Sequence, residues 1–448
     1  MEESDVSKEA ASVPESVDSL HPTYWYNIAA DFPVPAPPHL NPATKEPVTK
    51  EDLSALFATE LSEQELSTER FIAIPQEVLD AYAIYRATPL IRAKRLEKEL
   101  GTKSRIYLKY EGVSPVGSHK PNSAIPQAYY NKQDGITKLT TETGAGQWGA
   151  SLALAGAMFD LEVEIFQVRA SYDSKPYRRY QMEVYGGQCH SSPSDLTKVG
   201  RAILAEHPDT SGSLGMAVSE AVEVAMEEPS TRYALGSVLN HVALHQTVIG
   251  QEAIAQLREA GEEQADVVIG CAGGGSNLAG LAFPFLRHVL DGDFTTRIIA
   301  AEPAACPSLT EGEYRYDFGD FTGMTPLLKM YTLGQDFVPD PIHAGGLRYH
   351  GMAPAISHAR HLGYVSPVAV EQNDAFMAGV RTARSEGIVP APESNHALAA
   401  AIRYLEGEGK DREEVIVVGV SGTGVLDLPS YLKMLPEVNA ELAASKDN

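Results

Sequence analysis

The chain has 448 residues, 43% hydrophobic and 21% charged, a globular composition long enough for two domains. Sixty acidic against 36 basic side chains leave a formal charge of -24, a surface that repels nucleic acid and anionic membranes, so neither is an expected partner. Cys189, Cys271 and Cys306 lie too far apart for a disulfide framework or a zinc site, no apolar run would span a bilayer, and the acidic start Met1-Glu2-Glu3-Ser4-Asp5 lacks a signal-peptide core, so a cytoplasmic protein is expected.

Residues 1–70 read as an N-terminal extension, acidic and then Pro-rich around Asp31-Phe32-Pro33-Val34-Pro35. Tyr24, Trp25, Tyr26 and Phe32 favour its docking on the main body over a disordered tail. Beyond it, strands alternate with helices. Strands are expected at 105–110, 138–141, 162–168, 266–271, 297–301 and 414–420, and an Ala-rich helix at 147–159. That alternation means parallel sheet in an α/β fold. The division expected is an N-terminal α/β domain over 71–235 and a C-terminal one over 236–448. The stretch near 90–114 is assignable to either.

Ligands of such sheets bind where strands turn into helices, and the informative segments fall at such places. Gly117-Ser118-His119-Lys120-Pro121-Asn122-Ser123 sets one lysine beside a histidine at a helix start. Alone, Lys120 reads as a surface lysine. Among these neighbours it suits Schiff-base chemistry, with His119 against a phosphate and Asn122 against the 3′-oxygen of a pyridoxal ring. Glu142 precedes Thr143-Gly144-Ala145-Gly146-Gln147, whose consecutive N–H groups suit a carboxylate. Glu142 is either a solvated loop acid or, beside an anion site, a catalytic one. Gly273-Gly274-Gly275-Ser276-Asn277 follows an apolar strand and opens a helix, either as a tight turn or as a phosphate cradle. Ser421, after the last strong strand, can hydrogen-bond a ring nitrogen, with Glu393 nearby. Together these parts point to pyridoxal 5′-phosphate (PLP). His343, His350, His358 and His361 lack a ligand pattern, and no metal site is expected. No Gly-x-Ser-x-Gly elbow supports a serine hydrolase.

In combination, the segments at 118–123, 142–149, 273–277 and 393–399 resemble the tryptophan synthase β chain family. Trp148, the long extension and Gly345-Gly346-Leu347-Arg348-Tyr349-His350-Gly351 resemble its second, divergent subtype. The resemblance runs from Arg86 to Leu428. It implies a fold type II PLP enzyme with two three-layer α/β domains and the cofactor between them. Lys120 and Glu142 would be catalytic. His119, Lys120, Asn122, Gln147, Ser213, Gly273, Gly274, Gly275, Ser276, Asn277, Glu393 and Ser421 would hold the cofactor. Thr143, Gly144, Ala145, Gly146 and Gln147 would take the amino-acid carboxylate. Arg348 stands where the main subtype has an aspartate over the substrate hydroxyl, and it could suit a phosphorylated serine.

The implied reaction joins indole to L-serine or O-phosphoserine to give L-tryptophan, in a homodimer. Coupling to a tryptophan synthase α chain is open, and a monovalent cation is a family expectation without a side-chain signature. The alternatives are another fold type II activity, such as serine or threonine dehydratase or cysteine synthase, and a non-catalytic PLP-binding protein. The dehydratase and synthase families usually open the carboxylate loop with Ser or Thr rather than with Glu142.

Overall fold

The structure is a computed structural model and describes residues 13–444; the acidic start of the extension lies outside them. Val415–Val420 is a run of β-branched residues and one glycine, all buried, and such a strand needs cover on both faces. It lies within a six-stranded sheet. The order is Val365–Val370, Arg297–Pro303, Val267–Cys271, Val415–Val420, Arg105–Tyr110 and Leu90–Arg92. All neighbours are parallel except the edge strand Leu90–Arg92, which runs antiparallel to Arg105–Tyr110.

Alternation along these strands builds the layers. Val268 and Val417 join a core with Leu278, Leu281 and Phe285 of helix Ser276–Asp291. Ile269, Ile416 and Val418 join a core with Ala397, Leu398 and Ala401 of helix Pro392–Glu406. Successive side chains of a strand face opposite ways, so the two helices cover opposite faces of the sheet. A second sheet has four parallel strands in the order Gln188–Ser192, Glu162–Val168, Lys138–Thr143 and Thr231–Tyr233. Helices Gln147–Met158 and Leu214–Glu227 pack on it.

The expected strands are present, with shifted ends. One shift matters for the site. Lys138–Thr143 continues two residues beyond the expected end, and Glu142 pairs in register with Phe166. Glu142 is therefore a buried strand residue, not a loop acid. The hairpin Glu313–Phe318 with Leu327–Thr332 was not expected from the sequence. The strands at 90–92 and 105–110 belong to the six-stranded sheet, with segments that come from beyond residue 236.

From residue 13 the extension is docked. Tyr24–Tyr26 pairs antiparallel with Phe71–Ala73, and Trp25 and Tyr26 are fully buried. Each aromatic ring removes enough surface from water to contribute roughly 4–6 kcal/mol before ordering costs. The Trp25 ring lies 4.5 Å from that of His245. No described helix is long and apolar enough to cross a membrane.

Candidate active site

A cavity with several polar side chains in its wall sits at the carboxyl ends of Val267–Cys271 and Val415–Val420. Its walls include His119, Lys120, Gln147, Gly273 to Asn277, Glu393 and Ser421. These residues come from five separate stretches of sequence. The strand-to-helix turns bring them together.

Lys120 immediately precedes helix Pro121–Gln133, whose first residue is a proline suited to that position. Its Nζ donates to the Gly236 carbonyl and, at 3.0 Å, to Ser276 Oγ. Burial holds the ammonium below its ordinary range, at about 8, against an opposing pull from the Glu142 carboxylate. An amine so placed loses its proton readily and becomes a nucleophile. Burial, with the Lys120 charge beside it, pushes His119 down to about 3, so its ring is neutral. His119 Nδ1 lies 3.2 Å from the Ser421 carbonyl, and a carbonyl can only accept. Nδ1 therefore carries the hydrogen, and Nε2 accepts from Ser276 Oγ at 3.2 Å.

Helix Ser276–Asp291 begins at the cavity, and its first-turn N–H groups have no intrahelical partner. The glycines before it are tightly packed. A Cβ on Gly274 would come within 2.2 Å of Ser237 Oγ, and one on Gly273 within 2.6 Å of the Gly346 carbonyl. Opposite lies Ser421, whose Oγ is 2.8 Å from Ser394 Oγ and 3.5 Å from Cys271 Sγ. Glu393 accepts from Gln147 Nε2 at 3.1 Å and from the Gly346 N–H at 2.9 Å. An activated lysine, a helix N-terminus with glycine backbone, and a hydroxyl across the cavity form the donor set that PLP requires.

Other expected site residues do not reach this wall. Both side-chain ends of Asn122 are used beneath it. Its Oδ1 accepts from Tyr85 and Arg86, and its Nδ2 donates to Glu111 and Gln246. A contact with the 3′-oxygen of a pyridoxal ring does not fit that arrangement. Ser213 caps helix Leu214–Glu227 by accepting from Met216. Arg348 is buried, with Nη2 donating to the Pro339 carbonyl at 2.6 Å and burial holding its guanidinium below the ordinary range. It therefore puts no charge into the cavity. Thr143 accepts from the Gly149 N–H. The loop Gly144 to Gly146 lies under the Gly345 turn, where a Cβ on Gly144 would meet the Gly345 carbonyl at 2.7 Å. Among the loop residues only Gln147 lines the cavity.

Glu142 lies behind Tyr233, which stands in the wall of a second, apolar cavity lined by residues including Leu56, Phe57, Leu235 and Tyr349. Tyr233 Oη donates to Glu142 Oε2 at 2.5 Å. Burial pushes the Glu142 carboxyl up to about 7 although that hydrogen bond pulls it down. Ser237 lines both cavities, and the carbonyl that Lys120 contacts belongs to Gly236. The segment 233–237 is thus a shared partition. Tyr233, Ser237 and Ser394 were missed from the sequence. Ser394 adjoins Glu393 in a segment already singled out, whereas Tyr233 and Ser237 carry no local signal.

Among the described residues no group of His, Cys, Asp and Glu is arranged to hold a metal. His350 and His358 contact the Phe318 and Val34 carbonyls, and His361 stacks on Tyr314. The three cysteines are free.

Comparison with known proteins places the chain in a family. The family model described as "Pyridoxal-phosphate dependent enzyme" matches residues 82–422. The tryptophan synthase beta chain 2 of Thermotoga maritima is 57% identical over 414 residues, 92% of this chain and 97% of that protein. Its namesake from Aquifex aeolicus is 55% identical over 418 residues, 92% and 96% of the two chains. Among solved structures, the processed form of threonine deaminase isoform 2 from Solanum lycopersicum aligns with a TM-score of 0.58 at 19% identity. The alignment covers 80% of this chain and 91% of that one, a likeness of fold alone.

Proposed function

The chain belongs to the tryptophan synthase β chain family of PLP-dependent enzymes, and from that premise we propose how its residues carry the reaction. It is a PLP-dependent lyase that joins indole to an amino-acid donor to give L-tryptophan. The donor in this reading is L-serine. When bound, PLP supplies the electron sink that lets the Cα–H bond and the β-substituent of the donor break.

The N-terminus of helix Ser276–Asp291 and the backbone from Gly273 hold the cofactor phosphate. The Ser421 hydroxyl meets the ring nitrogen. Lys120 anchors the cofactor, then takes the Cα proton and returns it. Its amine is suited to both tasks because burial keeps it near neutrality. The loop 143–147 reaches the cavity at Gln147, and the donor carboxylate binds at that end of it. Indole occupies the apolar cavity, and Glu142 balances the positive charge that develops at its N–H. A carboxyl held at about 7 can take either protonation state at working pH.

One observation carries this reading: the buried Glu142 is hydrogen-bonded to Tyr233, which lines an apolar cavity that shares Ser237 with the lysine cavity. A dehydratase would leave both the acid and the apolar cavity without a task. L-serine is preferred over O-phosphoserine because the only ammonium on the polar wall is Lys120 and no guanidinium joins it. The proposal extends to a homodimer in the cytoplasm, with sedimentation as the test of assembly, and to turnover without a tryptophan synthase α chain. A monovalent cation would act through backbone carbonyls, so its part is read from activity with and without added potassium. The donor is tested by kcat/KM with indole in excess. L-serine should exceed O-phosphoserine by about tenfold or more, and the reverse order would place a cation in the cavity.

A further inference from the structure

Ser394 is fully buried in the first turn of helix Pro392–Glu406, behind the wall that carries Ser421. Its Oγ accepts the Gly422 N–H at 3.2 Å and lies 2.8 Å from Ser421 Oγ. A serine hydroxyl has one hydrogen to give and two lone pairs. With one lone pair taken by Gly422, the bonded neighbour left for the Ser394 hydrogen is Ser421 Oγ. If Ser394 donates there, the hydrogen of Ser421 is released from that contact. The other neighbour of Ser421 Oγ is Cys271 Sγ at 3.5 Å, a weak acceptor that already faces Asn277 Nδ2 at 3.5 Å. Ser421 and Cys271 both line the cavity.

We propose that Ser394 is a positioning residue whose hydroxyl donates to Ser421 Oγ and thereby aims the Ser421 O–H into the cavity as a donor. This rests on the reading that Ser421 meets the ring nitrogen of PLP. Its consequence is directional. A Ser421 that donates matches a ring nitrogen with a free lone pair. A Ser421 whose hydrogen is spent on Ser394 could only accept, which matches a protonated nitrogen. The Gly422 N–H sets the order of the chain, from Gly422 to Ser394 to Ser421 to the ligand.

The test uses the full-length protein reconstituted with PLP labelled with nitrogen-15 in the ring, read by NMR. Cofactor-free protein is titrated in parallel with 4′-deoxypyridoxine 5′-phosphate, which lacks the aldehyde and binds without Lys120. The ring-nitrogen signal of wild type should fall in the unprotonated range. Ser394→Ala leaves the Ser421 hydroxyl free to turn toward Cys271 Sγ, and should move the signal toward the protonated range and weaken the analogue by about tenfold, the equivalent of one hydrogen bond. Ser421→Ala should do the same. If Ser421→Ala changes neither readout, the reading of Ser421 itself fails. If Ser421→Ala changes both and Ser394→Ala changes neither, the relay is overturned while that reading stands. Ser394→Cys keeps the volume with a weaker donor and should give an intermediate shift. Should the alanine variant not fold, an unshifted cysteine variant overturns the relay by itself.

Discussion

Tyr233 Oη donates a 2.5 Å hydrogen bond to Glu142 Oε2, and both side chains are buried. Tyr233 also forms part of the apolar wall, so the pair links a titratable acid to the cavity proposed for indole. Tyr233 itself stays protonated, because burial and the neighbouring carboxylate push its pKa well up. The acid is therefore held by a fixed donor, and its proton is the one free to change.

Glu142 should cost the fold stability. Its carboxyl titrates near 7 in the folded chain against an ordinary value of 4.5. Between those values the unfolded chain gives up a proton that the folded chain keeps, so stability falls as pH rises. Above the folded value the cost is complete, at most about 3 kcal/mol. Glu142→Gln should therefore be more stable than wild type by about 2–3 kcal/mol near pH 8 and nearly equal near pH 4. Urea denaturation of the cofactor-free proteins measures the difference. A variant less stable near pH 8 would contradict the burial argument.

Cofactor capture should follow the Lys120 amine. With its pKa at about 8, about a tenth of the amine is free at pH 7, against roughly one part in 3000 for an ordinary lysine. The rate of PLP capture by cofactor-free protein, followed by absorbance, should rise about fivefold from pH 7 to 8 and only about twofold beyond. A tenfold rise per unit up to pH 9 would mean an unperturbed lysine. Lys120→Ala should lose turnover altogether.

Gly146 has φ +106°, and a Cβ there would lie 2.6 Å from Arg178 Cβ. Gly146→Ala must move the carboxylate loop or strain it, at a cost of about 1–3 kcal/mol. It should raise KM for serine while leaving PLP absorbance unchanged. An unchanged KM would remove the loop from carboxylate binding.

Arg348→Ala should leave the ratio of kcat/KM for L-serine over O-phosphoserine within about twofold of wild type, because the guanidinium is committed to the Pro339 carbonyl. A larger change would show that the side chain reaches the donor during turnover.

The α/β class and most central strands were legible because buried parallel strands write themselves as apolar runs, as Val415–Val420 does. The strand-to-helix turn at Gly273–Asn277 and the helix start at Lys120 were legible because glycines and a proline mark them. Side-chain direction was not. Asn122 is two residues from Lys120, yet it turns into a network with Arg86 and Glu111. Arg348 follows two cavity residues, Gly346 and Leu347, and points elsewhere. Glu142 reads as a loop acid until its pairing with Phe166 places it in a strand. Each of these depends on partners distant in sequence, which local patterns do not encode.

The most direct test of the account is product partition by PLP-loaded enzyme given indole and L-serine without an α chain, comparing wild type with Glu142→Gln. Wild type should form tryptophan with little pyruvate. Glu142→Gln should bind PLP normally but lose tryptophan formation by about 100-fold or more relative to wild type, with serine consumption diverted to pyruvate. Tryptophan formation undiminished in Glu142→Gln, or pyruvate alone from wild type, would contradict the role assigned to the Glu142–Tyr233 pair.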